Sequence, residues 1–312
     1  MKVFLKRILI FFLVAIPGYC VILVAWSNLI PFEAFKKNMN YKMGSYGHMF
    51  TRLQEADTIS KVDVLVLGSS HAYRGFDPRV FQNHGISVFV LGSSSQTPLQ
   101  ALGLVQEYVP KIQPKLVVYE VYPGIFQNDG VESSLDILAN HELSWNDVKM
   151  AFEIRHLKTF NVLVNDVFRE TIGLNDNFTE PLATSEDQYV KGGYVEKIDF
   201  KDHKKKNFKE SSYTLRPQQI EAFERIITYL KSLESEVVLV QAPISGHLYK
   251  TIKNNEEVDK LLSSYALYYN FNGKVNLDDQ KDFYDNHHLT QSGVEKFNKV
   301  LIETLMEEGY LK

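Results

Sequence analysis

The sequence predicts an α/β fold, a three-layer sandwich around a central parallel sheet, carried behind one N-terminal membrane helix. Two observations make that prediction. Short runs of Val and Leu, each closed by glycine, proline or a polar turn, alternate with stretches of helical periodicity. That is the signature of a parallel sheet wrapped by helices. Ahead of them, Ile8 to Ile30 carries no charged residue, and about 20 such residues suffice to cross a bilayer as a helix.

The membrane helix comes first in the chain. Pro17 and Gly18 interrupt it, which membrane helices tolerate better than soluble ones do. Lys2, Lys6 and Arg7 precede it and favour a cytoplasmic N-terminus, with the rest of the chain outside the cytoplasmic membrane. Lys36, Lys37 and Lys42 on the far side weaken that bias. A cleaved signal peptide is the rival reading, opposed by the length of the run and the lack of a small-x-small site. Cys20 is the only cysteine, so an internal disulfide and a cysteine-based metal site are excluded. Ile-Pro-Gly-Tyr before it is a poor lipid-attachment signal. The expected division is an anchor over 1–34, a juxtamembrane connector over 35–60, and a globular domain over 61–312 with an insertion at about 124–214.

Within the domain, Val62 to Leu67 reads as a buried parallel strand, too short for a helix and ending at Gly68. Asp77-Pro78-Arg79 has the form of a helix start, with Asp as N-cap and Pro in the first turn. A second strand, Ser87 to Leu91, ends at Gly92-Ser93-Ser94-Ser95. Leu99, Leu102, Val105, Tyr108 and Val109 follow at helical spacing, and Pro110 and Pro114 precede a third strand, Lys115 to Val121. The insertion is polar and aromatic, with helices expected near Trp145–His156 and Leu157–Thr171 and a solvated loop at Asp202–Lys206. Insertions of this size on a sheet scaffold often form a lid or a substrate-binding region. The rhythm resumes with a helix from Pro217 to Leu233, a fourth strand at Val237–Val240 and a helix over roughly Glu256–Tyr268. A short fifth strand at Lys274–Leu277 and a helix from about Gln291 to Glu308 close the chain.

The chemistry is suggested by two stretches far apart in sequence. Gly68 ends the first strand and leaves Ser70 at the carboxyl edge of the sheet, where ligands bind in open α/β folds. Asp285 and His288, three residues apart before the last helix, are spaced so that the carboxylate accepts a hydrogen bond from the histidine Nδ1 and fixes its tautomer. The other ring nitrogen then takes the proton of a serine hydroxyl, a nucleophile too weak to attack unaided. Backbone N–H groups of Ser70 and Gly92 are the candidates for an oxyanion site. A net charge of −4, with 45% hydrophobic and 23% charged residues, gives no electrostatic basis for nucleic-acid binding.

Together these residues resemble the SGNH (GDSL-like) hydrolase superfamily, in the style of its membrane-anchored branch of DltD-like proteins and SGNH-type O-acyltransferases. The likeness rests on Gly68-Ser69-Ser70, Gly92 and Asp285-x-x-His288-Leu289, and spans the domain from Val62 without the insertion. It implies a sheet of flavodoxin-like order, Ser70 as nucleophile, His288 as general base and Asp285 as its orienting acid. Ser69 stands where the superfamily often has Asp. Its Gly-x-Asn-Asp block would fall at Tyr119-Glu120-Val121-Tyr122-Pro123-Gly124, which lacks it. Side-chain donation to an oxyanion is therefore either absent or left to Ser93, Gln96 or the insertion.

The expected chemistry is ester hydrolysis or O-acyl transfer through an acyl-serine on Ser70, with no cofactor. The resemblance makes an extracytoplasmic glycan or envelope polymer the expected substrate. The alternative is a non-catalytic partner of the same fold, binding a polymer or a membrane acyltransferase. A metal site drawn from His71, Asp285, His287 and His288 is a third reading. His71, Arg74, Glu120 and His287 are expected around the pocket. Glu120 is open between a substrate contact and a capping carboxylate, and Arg74 between an anion site and a surface ion pair.

Overall fold

Three runs of five residues, Val64–Gly68, Val88–Gly92 and Leu116–Glu120, are buried at every position. That burial is expected of parallel strands covered on both faces. The computed structural model describes residues 1–44, 46–200 and 208–311; the loop expected at Asp202–Lys206 lies outside them. The chain opens with α1 (Lys2–Leu29), a single helix in spite of Pro17. Then come α2 (Met49–Ala56), β1 (Val64–Gly68), the one-turn α3 (Ser70–Tyr73), α4 (Pro78–Gln82), β2 (Val88–Gly92), α5 (Pro98–Ile112) and β3 (Leu116–Glu120). The insertion holds α6 (Val131–Asn140), α7 (Trp145–Ile154), α8 (Leu157–Thr171) and a hairpin of β4 (Asp187–Val190) and β5 (Tyr194–Lys197). The chain returns through α9 (Pro217–Ser232), β6 (Glu236–Gln241), α10 (Gly246–Tyr249), α11 (Asn255–Ser263), β7 (Leu267–Asn270) and α12 (Gln291–Glu307).

The five-stranded sheet runs β2-β1-β3-β6-β7 with every pairing parallel, the flavodoxin-like order. Alternate residues of its strands go to opposite faces. Leu65, Leu67, Phe89 and Leu91 meet α5 and α9 on one side, whereas Val64, Val66, Val88 and Val90 meet α12 and α4 on the other. The result is the expected three-layer α/β sandwich. Its first two strands end level with each other, Gly68 opposite Gly92.

One expectation is corrected. The fifth strand is Leu267–Asn270, which overlaps the expected end of a helix. The helix stops at Ser263, and the Leu-Tyr-Tyr run beyond it pairs with β6. Residues 274–277 instead follow a turn at Gly273, whose φ is +76°. The stretch expected as a connector carries α2, which buries Met49, Leu53 and Ala56 in the domain core. Its Arg52 is fully buried and donates to the carbonyls of Gly47 (2.7 Å), Gly92 (2.9 Å) and Gly193 (2.9 Å). One guanidinium thus ties α2 to the end of β2 and to the β4–β5 hairpin.

Candidate active site

The sharp exit from β1 depends on glycine. Gly68 has φ +142°, and a Cβ there would lie 2.9 Å from Glu120 Cβ and 2.9 Å from the Glu120 carbonyl oxygen. A Cβ on Gly92 would lie 2.7 Å from the Gly68 carbonyl oxygen. No larger residue fits between these strand ends without moving backbone. The turn presents Ser69 as the cap of α3, its hydroxyl accepting from the His71 N–H at 3.4 Å, and Ser70 as the first residue of that helix. Ser70 is half-buried.

The second component hangs from the head of α12. Thr290 caps that helix, and its N–H donates to the Asp282 carbonyl at 2.9 Å. The buried Asp282 carboxylate is held by Lys296 Nζ (2.7 Å) and Ser292 Oγ (2.9 Å). The loop between them is thereby fixed at its base. Within it, Asp285 Oδ1 accepts from the N–H groups of His287 (2.7 Å) and His288 (2.8 Å), and Oδ2 meets His288 Nδ1 at 2.8 Å. His288 Nε2 lies 2.8 Å from Ser70 Oγ. Burial opposes ionisation of Asp285, but the bond and charge of His288 and the two N–H groups outweigh it and hold the carboxyl well below the usual range. An ionised Asp285 only accepts, so Nδ1 carries the proton and Nε2 is left to receive the one on Ser70.

Aromatic rings wall the imidazole. Tyr284 lies parallel to His288 at 5.5 Å and 8°, and His71 is stacked at 4.9 Å. His71 packs in turn on Tyr122 at 4.2 Å, and the Tyr122 hydroxyl meets His287 Nδ1 at 3.1 Å. Burial, then the neighbouring His288 and His287, pull the His71 imidazole well below its ordinary value, so it stays neutral. Sequence reading missed Tyr122 and Tyr284. Their only signal was position, one just past the third strand and one directly before Asp285.

The structure brings Ser70, His288, Asp285, His71 and His287 together at the end of β1, where Gly68 lies opposite Gly92. Ser93 and Gln96, the expected side-chain oxyanion donors, are buried and hydrogen-bonded within the protein. Ser93 Oγ pairs with Ser133 Oγ at 2.9 Å. In the orientation its neighbours require, the Gln96 amide donates to the Gly68 carbonyl (2.9 Å) and accepts from Ser93 Oγ (3.0 Å). Glu120 is 2% exposed and packs against Gly68 at the end of β1. Burial pushes its carboxyl up to about 8, in spite of bonds from the N–H groups of Tyr122 and Ala242. Arg74 makes a two-pronged ion pair with Asp187 at 2.9 and 3.0 Å. Gly92 is held by its carbonyl to Arg52 at 2.9 Å. Among the described residues no three His, Cys, Asp or Glu side chains are grouped to hold a metal ion.

A parallel sheet in this order, with Ser70 after its first strand and Asp285–His288 ahead of the last helix, is consistent with an SGNH-like α/β fold. No protein-family profile and no curated protein matches the chain. Among solved structures it is similar to a "putative acylhydrolase" from Bacteroides fragilis NCTC 9343, at 12% identity and a TM-score of 0.42, covering 85% of this chain and 98% of that one. It is likewise similar to a GDSL-like lipase from Bacteroides thetaiotaomicron VPI-5482, at 11% identity and a TM-score of 0.41, covering 84% and 98%.

Proposed function

We propose that the protein is a serine-dependent esterase or O-acyltransferase acting through an acyl-Ser70 intermediate. The observation that carries this reading is the unbroken relay Ser70 Oγ–His288 Nε2 and His288 Nδ1–Asp285 Oδ2, each contact 2.8 Å. Ser70 Oγ attacks the ester carbonyl while His288 Nε2 takes its proton, and Asp285 stabilises the imidazolium. The tetrahedral intermediate collapses when His288 returns that proton to the departing alkoxide, leaving the acyl group on Ser70. Water, or the hydroxyl of an acceptor, then attacks the acyl-serine by the reverse sequence. The proposed oxyanion donors are the N–H groups of Ser70 and Gly92.

The acyl partner in this proposal is a polar alcohol, such as a glycan or envelope polymer. Past the end of α3 lies a cavity of about 340 Å³, whose walls include His48, Tyr73, Arg74, Ser94, Glu180 and Asp187. We read α1 as a membrane anchor with the domain on the extracytoplasmic side, since it is long and apolar and carries Lys2, Lys6 and Arg7 at its N-terminal end, against the opposing pull of Lys36, Lys37 and Lys42. The test is labelling of the detergent-solubilised full chain with a fluorophosphonate probe. Labelling is expected in the wild type and absent from both Ser70→Ala and His288→Ala. No labelling of the wild type, with no turnover of activated acetyl esters, sinks the acyl-serine reading.

A further inference from the structure

The helix α8 shows apolar side chains on its outer face while burying polar ones. Beside the core residues Val162 and Leu163 it buries Thr159, Asn161, Asn165, Asp166 and Arg169, whereas Leu157 and Val167 are 66% and 43% exposed. Just past its end, Ile172 and Leu174 are 52% and 54% exposed. A helix on the surface of a water-soluble domain shows the opposite arrangement. Part of the polar face is bonded within the protein: Asn161 donates to the Asn38 carbonyl (2.8 Å), Asn165 to that of Met39 (2.7 Å), and Arg169 to that of Ala139 (3.0 Å).

The apolar face has a neighbour that says what covers it. The second half of α1 docks along α8, with Tyr19 OH donating to Asn161 Oδ1 (2.6 Å) and Ser27 Oγ to Asn165 Oδ1 (2.8 Å). Leu23 and Ser27 are buried there. Between the helices runs a groove of about 610 Å³, lined almost wholly by carbon, including Val21, Val24, Leu29, Val164, Val167 and Phe168. The exposed stripe of α8 is thus continuous with the lipid-facing surface of a helix read as a membrane span.

We propose that α8 is seated in the bilayer, its Leu157–Val167 face against the acyl chains of the leaflet nearest the domain. The domain is then embedded at one edge by a second, non-spanning helix. This rests on the reading of α1 as a membrane span and not on the chemistry at Ser70. Burying apolar area in hydrocarbon stabilises at roughly 25 cal/mol per Å², and helices that bind at the interface do so through such a face.

Site-directed spin labelling of the full chain tests it, in vesicles of phosphatidylethanolamine and phosphatidylglycerol. In a Cys20→Ala background, nitroxides are placed at Val167→Cys and Ile172→Cys, at Leu9→Cys on α1 as the lipid reference, and at Lys299→Cys on α12 as the water reference. The expected result is that labels at 167 and 172 match the one at 9, with collisions favouring oxygen over a water-soluble nickel chelate several-fold. The inference is overturned if they follow 299 while 9 remains in lipid. It is also overturned if they are shielded from both reagents, which would mean that a second protein surface covers the face. A label at 9 that reports water removes the anchor reading itself, and the embedding of α8 with it.

Discussion

At the scale of residues, the site depends on which atom holds a proton. Asp285 has both oxygens occupied, one by two N–H groups and one by His288 Nδ1, and that fixes the imidazole with Nε2 toward Ser70. Asp285→Asn keeps the shape and presents an amide that can stabilise the opposite tautomer. The fluorophosphonate labelling rate is expected to fall about 10⁴-fold, the loss that accompanies a misplaced imidazole proton. A rate within about tenfold of wild type would mean that Asp285 does not set the tautomer. Glu120 makes a separate prediction through its burial. Its carboxyl ordinarily titrates at 4.5 and is raised to about 8 in the fold. Between those values the unfolded chain has lost the proton and the folded chain retains it. Its contribution to stability is therefore full below pH 4.5 and disappears as pH rises through about 8. Glu120→Gln cannot ionise, so melting curves across that window should show the wild type losing stability relative to the variant. Parallel curves would mean that Glu120 is ionised in the fold.

At the scale of elements, Arg52 is the clasp behind the site. Arg52→Leu leaves the carbonyls of Gly47, Gly92 and Gly193 without their donor in the interior, at an expected cost of about 3 kcal/mol in denaturant unfolding. The labelling rate should fall as well, because Gly92 loses its tether. A variant of unchanged stability would show that water or a backbone shift replaces all three bonds. The strands β1 to β3, the cap at Asp77 and the pairing of Asp285 with His288 were legible because each is written in local spacing. Arg52 was not, since an arginine in an apparent connector has no local mark of burial. The same holds for Ser93 and Gln96. Strand-end serines and glutamines suggest free donors, and only the packing of α6 shows that Ser93 is paired with Ser133. Glu120 was left open for a similar reason: the close approach of Gly68 that roofs it is a tertiary fact.

At the scale of the whole molecule, the boundary between anchor and domain is not where composition changes. Leu23 and Ser27 of α1 are buried against the domain, and Asn165 receives the Ser27 hydroxyl. A chain beginning at Pro31 therefore loses part of its own packing and uncovers more of the apolar face of α8. It is expected to be less stable than the detergent-solubilised full chain, and to self-associate on light scattering and sizing. A monodisperse truncation with an unchanged melting temperature would contradict the docking. On the proposed function, the attachment also bears on the reach of Ser70. A catalytic domain on a flexible tether sweeps a volume that grows with linker length. Here the carbonyls of Asn38 and Met39, past α1, accept from Asn161 and Asn165, which shortens the free run between α1 and the domain. With α1 in the membrane as proposed, Ser70 is held near one height above the lipid, and an ester that it is proposed to attack has to come to that height.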